Sequence, residues 1–183
     1  AIVAKEIEER CSNTNQRMRR VAVAVGLLAL PALPAQAKTP VGIPDAISRA
    51  ESAWGGHAIS VEMDRQRNGR LVYEVTLLQG DTVKEGIIDA LSGEPVDRRN
   101  ALVNTYRLRL LDRETLSHAR YAKQLGPILK RLEDRTKGYV VEASFEVRAG
   151  QARYEVDIST EAGVAEIYLD PKTGERIAMV YND

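Results

Sequence analysis

The sequence predicts an α+β protein of two tandem units, each one helix packed on a three-stranded antiparallel sheet. Three observations predict it. A basic stretch and an apolar run set the first 37 residues apart from the rest. The remaining chain repeats itself at a nearly fixed offset. Within each repeat, the apolar spacing changes from helical to alternating.

The leader comes first. Met18-Arg19-Arg20 precedes the apolar run 21–33, and Pro34-Ala35-Gln36-Ala37 follows. Small residues at Ala35 and Ala37 suit a signal peptidase, so 18–37 reads as a signal peptide cut between Ala37 and Lys38. The run is shorter than the roughly 20 apolar residues a membrane span needs. No cysteine follows the cut, so a lipid anchor is not expected, and the expected location is periplasmic or secreted. Residues 1–17 precede a plausible initiator at Met18 and carry the single cysteine, Cys11. They read as an upstream extension that is not native.

Beyond the cut the chain has no cysteine, so its stability must come from its cores and not from disulfides. The whole chain balances 26 basic against 26 acidic residues. Without Lys5, Arg10, Arg17, Arg19, Arg20, Glu6, Glu8 and Glu9, the balance from Lys38 onward is 21 to 23, a net charge of −2. That argues against a nucleic-acid binder, which needs a clustered positive surface. No membrane insertion is expected after cleavage.

The repeat aligns residues 73–96 with 154–177 without a gap. Tyr73-Glu74-Val75 becomes Tyr154-Glu155-Val156, Asp89 becomes Asp170, and Gly93-Glu94 becomes Gly174-Glu175. Upstream the offset grows by one, matching Ile47 with Leu129 and Gly56 with Gly138. A hairpin loop absorbs the slip. The units are placed at 38–97 and 124–183, with 98–123 as a connector that turns helical from Thr115.

Each unit opens with a helix. Pro44 suits a first helical turn, Ile47, Ala50 and Trp54 recur at helical spacing, and Gly55-Gly56 stops the run. In the second unit Leu125, Ile128, Leu129 and Leu132 form the stripe around Pro127, with Gly138 as the stop. Alternating segments follow. Ile59, Val61 and Met63 face one way, answered by Leu71, Tyr73, Val75 and Leu77 across the Asn68-Gly69 hairpin. Val141, Ala143, Phe145 and Val147 are matched to Ala152, Tyr154, Val156 and Ile158 across Ala149-Gly150. A third strand completes each unit, at 83–89 and 164–170. Units this small are marginal alone, so the two are expected to support each other.

The helix, the Tyr-x-Val strand and the closing Asp-Ala-Leu-Ser-Gly or Asp-Pro-Lys-Thr-Gly turn resemble the PepSY domain, in two copies spanning most of the chain beyond Ala37. Members of that family occur in propeptides of thermolysin-type metallopeptidases and in exported bacterial proteins. The resemblance therefore implies a module that inhibits or regulates a peptidase. A related architecture belongs to a secreted beta-lactamase inhibitory protein, whose tandem units present a sheet to an enzyme. Unlike in the propeptides, no protease is expected behind its units, so a target would be met in trans.

Catalytic constellations are not found, and the chain is not expected to be an enzyme. His57 and His118 have no second ligand at metal spacing, and no serine sits in a nucleophile turn. No metal or cofactor is expected. Asp89 with Gly93, and Asp170 with Gly174, read as turn residues, since one aspartate per loop is too few oxygens for calcium. Tyr73 and Tyr154 read as core residues of the repeat.

That leaves the sheet face away from the helices as the candidate surface for a protein partner. In the first unit it carries Glu62, Val72, Glu74, Leu78, Val83 and Ile87; in the second, Glu142, Glu155 and Tyr168. The expected function is a non-catalytic exported protein-binding module that modulates a periplasmic peptidase. The alternative is an accessory module for the outer part of a membrane signalling protein. A small-ligand carrier is disfavoured, with one phenylalanine and one tryptophan to line a pocket. Oligomeric state is left open.

Overall fold

The computed structural model describes residues 39–100 and 113–181. The expected upstream extension (1–17), the expected signal peptide with its cut between Ala37 and Lys38, and the middle of the connector lie outside the described residues.

The first unit starts with helix α1, Ile43–Trp54. Pro44 stands in its first turn, and Ile43, Ala46, Ile47 and Ala50 are buried, an i, i+3, i+4, i+7 stripe. Gly55 ends it at φ 74°, its N–H bonded to the carbonyl of Glu51. Strands β1 (His57–Arg65), β2 (Leu71–Gln79), β3 (Thr82–Asp89) and β4 (Pro95–Asn100) follow. A short helix α2, Arg113–Ala119, precedes the second unit. That unit repeats the plan with α3 (Leu125–Thr136), β5 (Tyr139–Arg148), β6 (Gln151–Thr160), β7 (Gly163–Leu169) and β8 (Arg176–Tyr181).

Two expectations are corrected. Each unit has four strands and not three, and the two units share one antiparallel sheet ordered β4-β3-β2-β1-β5-β6-β7-β8. Strand β4 escapes the alternation pattern because Pro95 opens it and Asp97, Arg98 and Arg99 interrupt it. The join is β1 against β5, with Ser60 opposite Ser144, Val61 opposite Ala143 and Glu62 opposite Glu142. Because Val61 and Ala143 are themselves repeat equivalents, a local two-fold passes through that pair.

Register shifts interrupt four pairings, and two of them adjust the first hairpin of each unit. The β1–β2 pairing shifts between Ala58 and Ser60, and the β5–β6 pairing shifts between Val140 and Glu142. Ile158 therefore lies opposite Val140, not Val141. Both hairpin turns stand where expected: Gly69 has φ 83°, and Ala149 and Gly150 both have positive φ, the backbone a tight hairpin demands.

Helices α1 and α3 pack against each other on one face of the sheet, and each also reaches the other unit, α1 onto β5 and α3 onto β1. Gly126 makes the approach possible, since a Cβ there would lie 3.3 Å from Ile47 Cγ2. One contiguous core unites Ile47, Leu77, Ile88, Leu129, Tyr154, Ile158 and Ile167. Mutual support between units thus takes the form of a shared core and a shared sheet.

Candidate functional site

The repeat residues have a structural role that the geometry makes explicit. Tyr73, buried at the core, donates 2.6 Å to the carbonyl of Val41, just ahead of α1; Tyr154 donates 3.0 Å to Lys123, just ahead of α3. Burial pushes both phenols above their ordinary range. Phe145 meets the Tyr154 ring edge-on at 5.5 Å between centroids. Glu51 and Glu133 accept the N–H of Ala58 (2.8 Å) and Val140 (3.1 Å), tying each helix to its first strand.

The aspartate loops are matched too. Asp89 Oδ1 accepts the N–H of Leu91 (3.0 Å) and of Ser92 (2.7 Å), and Arg70 Nε stands 2.5 Å from Oδ2. The Arg70 guanidinium, with the Ser92 N–H, holds this carboxyl down at about 2. Asp170 accepts from Lys172 (2.8 Å) and Thr173 (2.9 Å), and those bonds lower it as well, the Thr173 N–H most. Gly93 and Gly174 close the loops at φ 73° and 76°, where a Cβ would strike the side chains of Arg49 and Arg131. The backbone occupies these carboxylates, as a turn requires. His57 Nε2 lies 3.1 Å from the carbonyl of Ala119, joining β1 to the end of α2.

The sheet face away from the helices is divided. In the first unit Val72, Leu78 and Ile87 are fully buried, Val83 is half-buried against the core, and Glu62 and Glu74 are half-buried. In the second unit Glu142, Glu155 and Tyr168 are all half-buried. Register brings together what sequence left scattered. Glu74 pairs with Glu62, Glu62 with Glu142, Glu142 with Asp157, and Asp157 with Glu166, so one row of carboxylates crosses five neighbouring strands. Paired strands lie about 4.8 Å apart, and like charges directly opposite repel. Glu62, Glu74, Glu142 and Asp157 each have an interaction partner within the protein.

Beside that row lies a cluster that sequence reasoning missed as a unit. Arg153 stacks on the Tyr168 ring, its guanidinium carbon 3.9 Å from the centroid. It bonds Glu146 and comes within 3.8 Å of Glu155, while the Tyr168 hydroxyl bonds Glu166. Burial, then the neighbouring Glu146 and Glu166, pushes the Glu155 carboxyl up to about 7. Strand alternation foretold which face these residues share; only the register shows that they touch.

The family described as "Peptidase propeptide and YPEB domain" matches this chain twice, at residues 44–99 and 128–179, together more than half of its length. This chain belongs to the PepSY family. The two PepSY matches fall on the two halves of the sheet, each taking in one helix and four strands, with the β1–β5 seam between them. Among solved structures, a protein of Clostridium difficile 630 described as a candidate lipoprotein is 16% identical over 79% of this chain and 95% of its own, with a TM-score of 0.39. No curated protein matches the chain. No helix among the described residues is long and apolar enough to cross a membrane.

Proposed function

We propose that this tandem PepSY protein is exported and acts without catalysis, binding a peptidase in trans and restraining it. The observation that carries the reading is the paired PepSY match on one continuous sheet, with both helices on the same face. A propeptide-like module usually works by covering an enzyme, and a rigid sheet is a suitable cover. This reading puts the contact surface on the second-unit half of the face, at Glu142, Glu155, Tyr168 and Arg153. The buried Val72, Leu78 and Ile87 contribute packing instead of contact. The Arg153–Tyr168 stack presents an aromatic and an arginine together, the residue types enriched at interface hot spots. Export rests on the leader at 18–37.

Capture from native periplasmic extract on the immobilised protein, followed by mass spectrometry and a hydrolysis assay, tests this. Retention of a peptidase whose turnover slows on adding the protein supports it. Retention of a signalling ectodomain, or of a peptidase that is not slowed, moves the protein to an accessory role.

A further inference from the structure

The sheet ends in two edges, β4 and β8, that occupy the same position in the two PepSY copies and differ in chemistry. A bare edge is a row of unpaired N–H and C=O groups, and proteins blunt such rows with proline and charge. Strand β4 is blunted. Pro95, which has no N–H to offer, opens it, and it carries Asp97 and Arg98. In β8 the equivalents are Arg176, Ala178 and Met179, and no charge follows Arg176 to the strand's end. Ile177, Val180 and Tyr181 are 59%, 49% and 54% exposed, so half of this six-residue strand is large apolar surface in water. A short strand of high β-propensity with no proline and little charge is the composition that pairs with other strands.

We infer that β8 is a self-association edge, pairing antiparallel with β8 of a second copy of this chain. Two features choose that occupant. The protein already extends its sheet by like-with-like addition: β1 and β5, equivalent strands of the two PepSY copies, pair antiparallel about a local two-fold at Val61 and Ala143. A two-fold at β8 repeats the same operation one module further out. The strand is also self-complementary: antiparallel pairing about its middle sets Ile177 against Val180 and Ala178 against Met179, places Arg176 opposite Tyr181, and brings no like charges opposite each other. The contrast between the edges then fixes the size of the assembly. One adhesive edge and one blunted edge make a closed, isologous dimer, whereas two adhesive edges would make a filament. A six-residue strand is a small interface, so the association is weak, with a dissociation constant of about 10–1000 μM. This inference is independent of the peptidase reading, which uses a face and not an edge.

Sedimentation velocity on the purified protein from about 5 μM to 1 mM tests it. The weight-average mass should climb from one chain towards two and stop there. V180K and I177K alter exposed side chains and leave the core untouched; each should weaken the association at least about tenfold while circular dichroism and the melting temperature hold. Two variants guard against one that misfolds. A single-chain mass at every concentration overturns the inference. So does association that both variants leave intact, or growth beyond two chains.

Discussion

The Tyr73 hydroxyl reaches across from strand β2 to the carbonyl of Val41, 2.6 Å away, and pins the entry of α1 to the sheet. Tyr154 does the same for α3 through Lys123. Removing either hydroxyl leaves a carbonyl short of a partner near the core. Y73F and Y154F should each cost about 1 kcal/mol in urea unfolding. Because the two units share a core, each variant should lower one common transition instead of splitting it into two.

A Cβ on Gly56 would lie 2.6 Å from the Leu78 carbonyl oxygen, and one on Gly138 2.6 Å from that of Ser159. Backbone cannot yield as a flexible side chain can. G56A and G138A should each lose at least about 2 kcal/mol. Gly69 also has positive φ but nothing within 4 Å, so G69A should cost only the left-handed strain, about 1 kcal/mol. Equal losses at all three sites would contradict the close approach.

Asp89 links stability to acid. Its carboxyl is held at about 2, below the ordinary 3.8, chiefly by Arg70. A depressed carboxylate contributes stability that is complete above the unfolded value and fades as pH falls through the folded one. Unfolding free energy should therefore drop between about pH 4 and pH 2, and D89N should flatten that drop. Because Arg70 is 41% exposed, salt should weaken the effect.

Glu155 has the opposite sign. Burial and its acidic neighbours raise it from 4.5 to about 7, so the folded protein holds a proton that the unfolded chain releases. That stability is complete below about pH 4.5 and is lost as pH rises through about 7. E155Q should remove the loss and melt higher than the parent at pH 8, while matching it at pH 4. If E155Q melts lower at pH 8, the carboxylate is stabilising there and the sign is wrong.

Much of the fold was legible because it is local. The helical stripe through Ile47 and Ala50, the Asn68-Gly69 turn and the matched Asp-Gly loops each follow from a few neighbouring residues. The repeat doubled every such signal. What escaped was non-local or disguised. Nothing in Glu62 or Glu142 announces that they stand opposite each other, because β1 and β5 are joined by no turn and place like charges side by side. The bulges at Ile59 and Val141 shift registers without leaving a mark in apolar alternation. Strand β4 hid behind Pro95 and its charges. At the candidate site, alternation assigned Glu142, Glu155 and Tyr168 to one face correctly, yet could not tell that Val72 and Ile87 on that face are buried.

Inhibition itself is the most direct test of the proposal that this sheet restrains a peptidase. A peptidase recovered from periplasmic extract on the immobilised protein is assayed with increasing free protein, alongside R153E/Y168A. The expected result is a saturable loss of hydrolysis with the parent protein and at least about tenfold weaker inhibition with the variant, which lacks the Arg153–Tyr168 stack. Hydrolysis that is unchanged at saturating protein would contradict it.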